Sequence, residues 1–247
     1  MILGISTIAF AVLFGSVFAA GVVRGFTGFA ASAVIMALGT LVLSPLELLP
    51  ICLLPELVAS LFLVRGGVKD ADFQLVLPLV GFAFAALPLG LYLTQMMDAG
   101  LSKMLALSVV GGLAALQLAR VPLPLGRGTL SAGFVGGLAG LVQGVAAVGG
   151  LVHALYVVTL NLPARTMRAT MILGVMFSGA IGLFWQVAMG VLTSKAAVLV
   201  SSVLVPFVVG LWLGRRYFTP ENEKYYRPIS LTLLIVLAAF GIVRQVF

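Results

Sequence analysis

Charge is scarce in this sequence: only 9% of the residues are Asp, Glu, Lys or Arg while 62% are hydrophobic, and a soluble domain carries about 25% charged residues. That shortage excludes a soluble fold, because no globular interior hides so large an apolar share. Lipid must be the solvent. Cysteine and histidine are almost missing as well, with one of each, Cys52 and His153. A lone cysteine forms no intramolecular disulfide and leaves the redox compartment unread, so Cys52, set in an apolar run, reads as a small buried hydrophobe. With one His, one Cys, no carboxylate pair inside an apolar segment and no phosphate-binding loop, the sequence offers neither a metal site nor a resident cofactor, and no catalytic set for an ATP-driven pump or another enzyme. A membrane-embedded enzyme or a non-transporting scaffold are the alternatives to a carrier. Long polar stretches are absent too, none exceeding roughly a dozen residues, so residues 1–247 read as a single transmembrane domain.

What is present is a succession of apolar segments. Cuts at charges, prolines and glycine clusters give ten, over 4–23, 28–43, 46–64, 73–95, 101–119, 129–143, 148–161, 168–190, 194–214 and 228–246. A helical crossing needs about 20 residues. The second, sixth and seventh segments are short, which predicts that some cross only partway. The fold class expected is therefore all-α, a polytopic bundle of eight to ten membrane segments, in a multi-pass protein of the cell inner membrane. Residues 1–20 are apolar and end in small residues, but they lack a basic leading region and the apolar pattern continues, so they are expected to belong to the bundle rather than to a cleaved signal.

The net charge of +7 would suggest nucleic acid in a soluble protein. Here the cations fall in short turns, where membrane topology places them, and no nucleic-acid partner is expected. Counting alternate turns as one side groups Arg65, Lys69, Arg120, Arg127, Arg165, Arg168, Arg215, Arg216, Lys224 and Arg227. The other side holds only Lys103, Lys195 and Arg244. The positive-inside rule makes the richer side cytoplasmic and puts both termini outside. Trp185, Trp212, Tyr217, Tyr225 and Tyr226 fall toward segment ends and read as interfacial anchors.

The two halves match at an offset of about 119 residues, giving internal repeats 1–119 and 120–247. The run Arg24-Gly25-Phe26-Thr27-Gly28 faces Gln143-Gly144 and the glycines Gly149 and Gly150; Ser44-Pro45 faces Leu162-Pro163; Leu89-Gly90-Leu91 faces Val209-Gly210-Leu211. Five segments per half is an odd number, so the second copy enters the membrane from the opposite side. That inverted plan belongs to many secondary transporters, whose substrates bind at mid-depth where interrupted helices of the two halves meet. The two glycine-rich stretches, Gly25–Gly28 and Gly144–Gly150, are the expected interruptions. A broken helix presents free N–H groups and a positive end, both suited to an anion.

Arg24 abuts the first interruption, and a charge within a span marks a pathway or a partner. Its planar fork donates two hydrogen bonds to an oxyanion, whereas an Arg snorkelling from a helix end does not. Gln143, at the corresponding position, is a neutral donor, and Thr27 adds a hydroxyl. Glu56 follows Pro55 near the centre of the third segment; a buried carboxylate without a partner keeps its proton, so Glu56 is the first candidate for proton coupling, against a structural pair with Arg24 or a simple neutral acid, and His153 is the second, against a satisfied helix-packing residue. Glu47 lies near the outer boundary and is expected to be exposed.

At Gly25-Phe26-Thr27-Gly28-Phe29, at the mid-chain glycines from Gly136 to Gly150, and at Pro88-x-Gly90-x-x-Leu93 the chain resembles the sulfite exporter TauE/SafE family, also called the 4-toluene sulfonate uptake permeases. The resemblance spans essentially the whole chain. It departs at Leu151, where a proline often follows the second motif, and at Phe29-Ala30-Ala31, where the first motif is often richer in glycine. It implies a carrier of sulfite, a sulfonate or a related organosulfur or carboxylate anion. The substrate would be held by Arg24, Gly25, Thr27, Gly28, Gln143, Gly144, Gly149 and Gly150. A homodimer is one assembly such a bundle allows.

Overall fold

Backbone polar groups in lipid must be satisfied within the chain, and a run of apolar residues does so as a helix. The computed structural model describes residues 5–27, 30–64, 68–121, 123–216 and 223–246, with the side chains of residues 26, 27, 63, 64, 164, 223–227 and 246 left out. Gly28, Arg65 and Tyr217 thus lie outside the described residues, as do the side chains of Thr27, Lys224, Tyr225, Tyr226 and Arg227. Ten α-helices follow one another among the described residues: α1 (Thr7–Thr27), α2 (Ala31–Gly39), α3 (Pro45–Val64), α4 (Phe73–Met96), α5 (Ala99–Leu118), α6 (Thr129–Ala146), α7 (Gly149–Thr159), α8 (Ala164–Ala188), α9 (Ser194–Arg216) and α10 (Glu223–Val246). Eight are long and apolar enough to cross a membrane. The exceptions are α2, with 9 residues, and α7, with 11.

Two of the three segments expected to be short are short, and the third is not. The sixth continues through Gly144 to Ala146 and reaches 18 residues. Glycine does not end it because Gly144 lies directly against the backbone of α4, where a Cβ would come within 2.5 Å of the Leu91 nitrogen. Gly25 is likewise helical, its missing side chain leaving room for Gly214 and Leu211 of α9. The second gap, at residues 147–148 between α6 and α7, lies inside the stretch Gly144–Gly150, and the first lies between Thr27 and Ala31. Each borders or holds an alanine in the left-handed region, Ala30 (φ 70°) and Ala147 (φ 57°). Backbone strain at a non-glycine residue of this kind persists only where its surroundings enforce it.

Helix ends are capped by local acids and serines. Glu47, exposed as expected, accepts from the backbone N–H of Ser44 at 2.8 Å and from its hydroxyl at 2.7 Å, and Ser44 accepts in return from the Glu47 N–H, a reciprocal box that starts α3. Asp72 and Asp98 do the same for α4 and α5 by accepting from Gln74 N and Leu101 N. Asp72 also pairs with Arg127 and donates its N–H to Thr170 at 3.0 Å, tying the turns before α4 and α6 to α8.

Small residues decide how the helices pair, since lipid offers no hydrophobic drive and close backbone approach must supply the contact. Along α6, Gly136, Gly140 and Gly144 recur every fourth residue and rest on Leu79, Ala83 and Gly90 of α4. Thr94 seals the pair by donating to the carbonyls of Gly90 and Gly144 at 3.0 and 3.1 Å. Along α1, Gly21 and Gly25 meet Gly210 and Gly214 of α9 in the same way. The other principal pairings are α5 with α10 and α3 with α8. Renaming α1–α5 as α6–α10, and the reverse, leaves these pairings unchanged.

Candidate functional site

Contacts fix where the short helices lie. Gly25, near the end of α1, sits beside Gly214 and the Arg215 nitrogen at the end of α9. The two helices therefore run parallel, and α1 is long and apolar enough for a complete crossing. The chain then doubles back, for Ser32 in the first turn of α2 meets Glu56 of α3. Glu56 lies about three turns into α3, roughly 16 Å from its start at 1.5 Å per residue, which is half the thickness of a bilayer core. In the other half Gly149 rests on the carbonyl of Ala139, so α7 doubles back along α6, and Gly150 faces Val175, about three turns and roughly 16 Å into α8. Each half-helix thus begins at about half-depth, one measured from either side.

Both N-termini are served by a side chain. Glu56, 7% exposed, accepts through Oε1 from the Ser32 N–H at 3.3 Å and from the Ser32 hydroxyl at 2.8 Å. A carboxylate there offsets the positive end of α2. Gln143, 6% exposed, accepts through Oε1 from the Gly149 N–H at 2.9 Å. Gln143 therefore acts here as an acceptor toward its own break, not as the donor expected. In the other half Gly150 of α7 faces Val175 of α8, so a polar pair at the start of α2 stands against an apolar contact at the start of α7.

Arg24 is 3% exposed and extends one guanidinium nitrogen to the Ser60 hydroxyl at 3.3 Å. Its Nε has no hydrogen-bond partner among the described residues. Ser60 follows Glu56 by four residues, so both stand on one face of α3, and Arg24 and Glu56 lie on either side of the α2 start. Among the described residues Asp72 with Arg127 is the only ion pair, so the Arg24 cation is not neutralised by direct contact. The Ser178 hydroxyl of α8 is buried without a partner, one turn beyond Gly174 on the same face.

His153, in the second turn of α7, is 1% exposed, and neither ring nitrogen has a partner among the described residues. Gly174 of α8 faces it, and a Cβ there would stand in ordinary contact, 3.7 Å from Nδ1. No contact among the described residues joins His153 to Glu56 or Arg24. Of the predicted residues, then, Arg24 and Glu56 are brought to one junction, while Gln143, Gly149, Gly150 and His153 are at the other. Gly25 and Gly144 serve helix pairing. Ser32, Ser60 and Ser178 were missed by sequence reasoning, and of these only Ser60 left a signal, its four-residue spacing from Glu56.

A helical bundle with eight helices apolar enough to cross a membrane and two doubled-back short helices, with a buried Arg24 and Glu56 near the start of one of them, defines a polytopic membrane protein. Residues 13–241 match the family described as sulfite exporter TauE/SafE, and the chain belongs to that family. No curated protein and no solved structure gives a match.

Proposed function

We propose that this protein is a secondary transporter that carries a small anion, a sulfite, organosulfonate or related organosulfur or carboxylate anion, through a mid-depth site between the two half-helices. Family membership supports the sulfur-anion class. The observation that carries the site is Arg24, a buried guanidinium that has, among the described residues, one weak hydroxyl contact, no partner at Nε and no ion pair. Burying a cation is costly unless something pairs with it, and an arriving oxyanion supplies both the charge and the acceptors. The first-turn N–H groups of α2 that Glu56 leaves free, Ser60 and the Gly150 end of α7 complete the donor set in this reading, and Thr27 and Gly28, which lie outside what the structure describes of the site, remain candidates from the sequence. Gly25 and Gly144 set the helix spacing that holds it.

Two inverted repeats, 1–119 and 120–247, account for the exchanged pairing of α1 with α9 and α6 with α4. They also account for half-helices that start at one depth from opposite faces. In that arrangement all the Arg- and Lys-rich turns share one face, which the positive-inside rule makes cytoplasmic in a bacterial-type inner membrane. Glu56 and His153 are the groups available for proton coupling, each beside one half-helix. A membrane enzyme would need a clustered nucleophile or metal set, and no group of three metal-type ligands occurs among the described residues.

The test is counterflow. Proteoliposomes preloaded with unlabelled sulfite or an alkanesulfonate should transiently accumulate labelled anion, with saturation and mutual competition across the panel. Uptake that is non-saturable and equal to protein-free vesicles would sink the reading.

A further inference from the structure

Positive charge is rare on the face opposite the Arg-rich turns, where the sequence places only Lys103, Lys195 and Arg244. Two of those three converge. A hollow of about 180 Å³ lies where the end of α2, the start of α5 and the end of α10 meet, lined by Thr40, Lys103, Leu107, Gly241, Arg244 and Gln245. Its apolar floor is closed by the antiparallel α5–α10 pair, in which the bare backbone of Gly241 lies under the Leu107 side chain. The polar groups of the wall are two cations, the Gln245 amide and Thr40. The Thr40 hydroxyl donates to the Ala37 carbonyl, leaving its oxygen as an acceptor only.

Neither cation has an acidic partner, because Asp72–Arg127 is the only ion pair among the described residues. Asp98, on the same rim, caps α5 through Oδ1 and forms no ion pair with either cation. Two like charges held at one hollow repel each other, and the positive-inside rule gives no reason to collect cations on this face. An anion between them removes the repulsion, and a guanidinium and an ammonium together present more donors than one small oxyanion has lone pairs.

We propose that Lys103 and Arg244 form a second oxyanion-binding site at this mouth. Its occupant is a free sulfate- or sulfonate-type anion or the phosphate of a lipid headgroup, which share the chemistry the two cations recognise. The free-anion role rests on the transporter reading: α2 runs from this hollow to the Glu56–Arg24 junction, so an anion held here stands at the outer end of the element that leads to the mid-depth site.

Lysine acylation tests it. The purified protein, in a neutral maltoside micelle and a buffer free of phosphate and sulfonate, is treated with an amine-reactive ester, and each lysine is followed by peptide mass spectrometry. Sodium sulfate or methanesulfonate should slow acylation of Lys103 several-fold and leave Lys195 of the same face unchanged, and Arg244→Gln should abolish the protection. A second arm places the protein in phosphatidylglycerol nanodiscs. Protection present there without added anion, and absent with sulfate in micelles, assigns the site to lipid phosphate. Equal acylation of Lys103 under all conditions, or protection that survives Arg244→Gln, overturns the proposal. Repeating the micelle arm with Arg24→Ala separates the two sites, because protection at Lys103 should persist there even if transport is lost.

Discussion

Arg24 and Glu56 stand at one helix start with different jobs, and single substitutions separate them. Arg24→Lys keeps the charge and loses the fork, so affinity should fall while measurable transport remains. Arg24→Ala removes the cation and should weaken anion binding by about 2–5 kcal/mol, the usual cost of deleting one partner of a buried charged contact. Glu56→Gln retains an oxygen for Ser32 but cannot release a proton. Accumulation driven by a pH gradient should disappear while equilibrium exchange of labelled anion continues, which paired uptake and exchange assays read directly. Loss of both activities in a folded Glu56→Gln protein would assign Glu56 to binding instead. Arg24 and Glu56 were legible in the sequence because an ionisable residue in an apolar run is conspicuous. Ser32 and Ser60 were not, because a serine inside a helix is compatible with lipid exposure, packing and function alike.

At the scale of helices, glycines that look alike in sequence divide by what faces them. Gly136, Gly140 and Gly144 touch α4 backbone, whereas a Cβ on Gly137 meets nothing within 4 Å. Gly140→Val should therefore destabilise the bundle by about 1–3 kcal/mol, since an added side chain must displace packed backbone. Gly137→Ala should be neutral or stabilising by up to about 1 kcal/mol through helix propensity. Thermal unfolding of the two variants in one detergent compares them, and equal midpoints would contradict the packing. The same distinction marks how far sequence reading reaches. It located helix boundaries within a few residues because prolines, charges and capping acids such as Asp72 and Asp98 punctuate the runs. Within the stretches Gly25–Gly28 and Gly144–Gly150 it could not tell that Gly25 and Gly144 pair helices, because glycine both breaks helices and lets them touch, and only the identity of the facing helix decides between the two. That facing helix belongs to the other half of the chain in each case.

For the whole molecule, the exchanged pairing means that neither half folds around its own helices alone, and the topology follows from that interlock. Cysteines introduced in a Cys52→Ser background should report it: Gly126→Cys, in a turn of the cation-rich face, should resist an impermeant maleimide in intact cells, while Ser194→Cys on the opposite face should react. The reverse pattern would invert the orientation without altering the fold. The most direct measurement for the central claim is anion counterflow in proteoliposomes by the parent protein, Arg24→Lys and Arg24→Ala, each shown to be folded by its thermal unfolding midpoint. Robust flux in the parent, weakened flux with reduced affinity in Arg24→Lys and none in Arg24→Ala is the predicted order. Parent-like flux and affinity in Arg24→Ala would show that the anion passes without this guanidinium, and the mid-depth site between the half-helices would have to be abandoned.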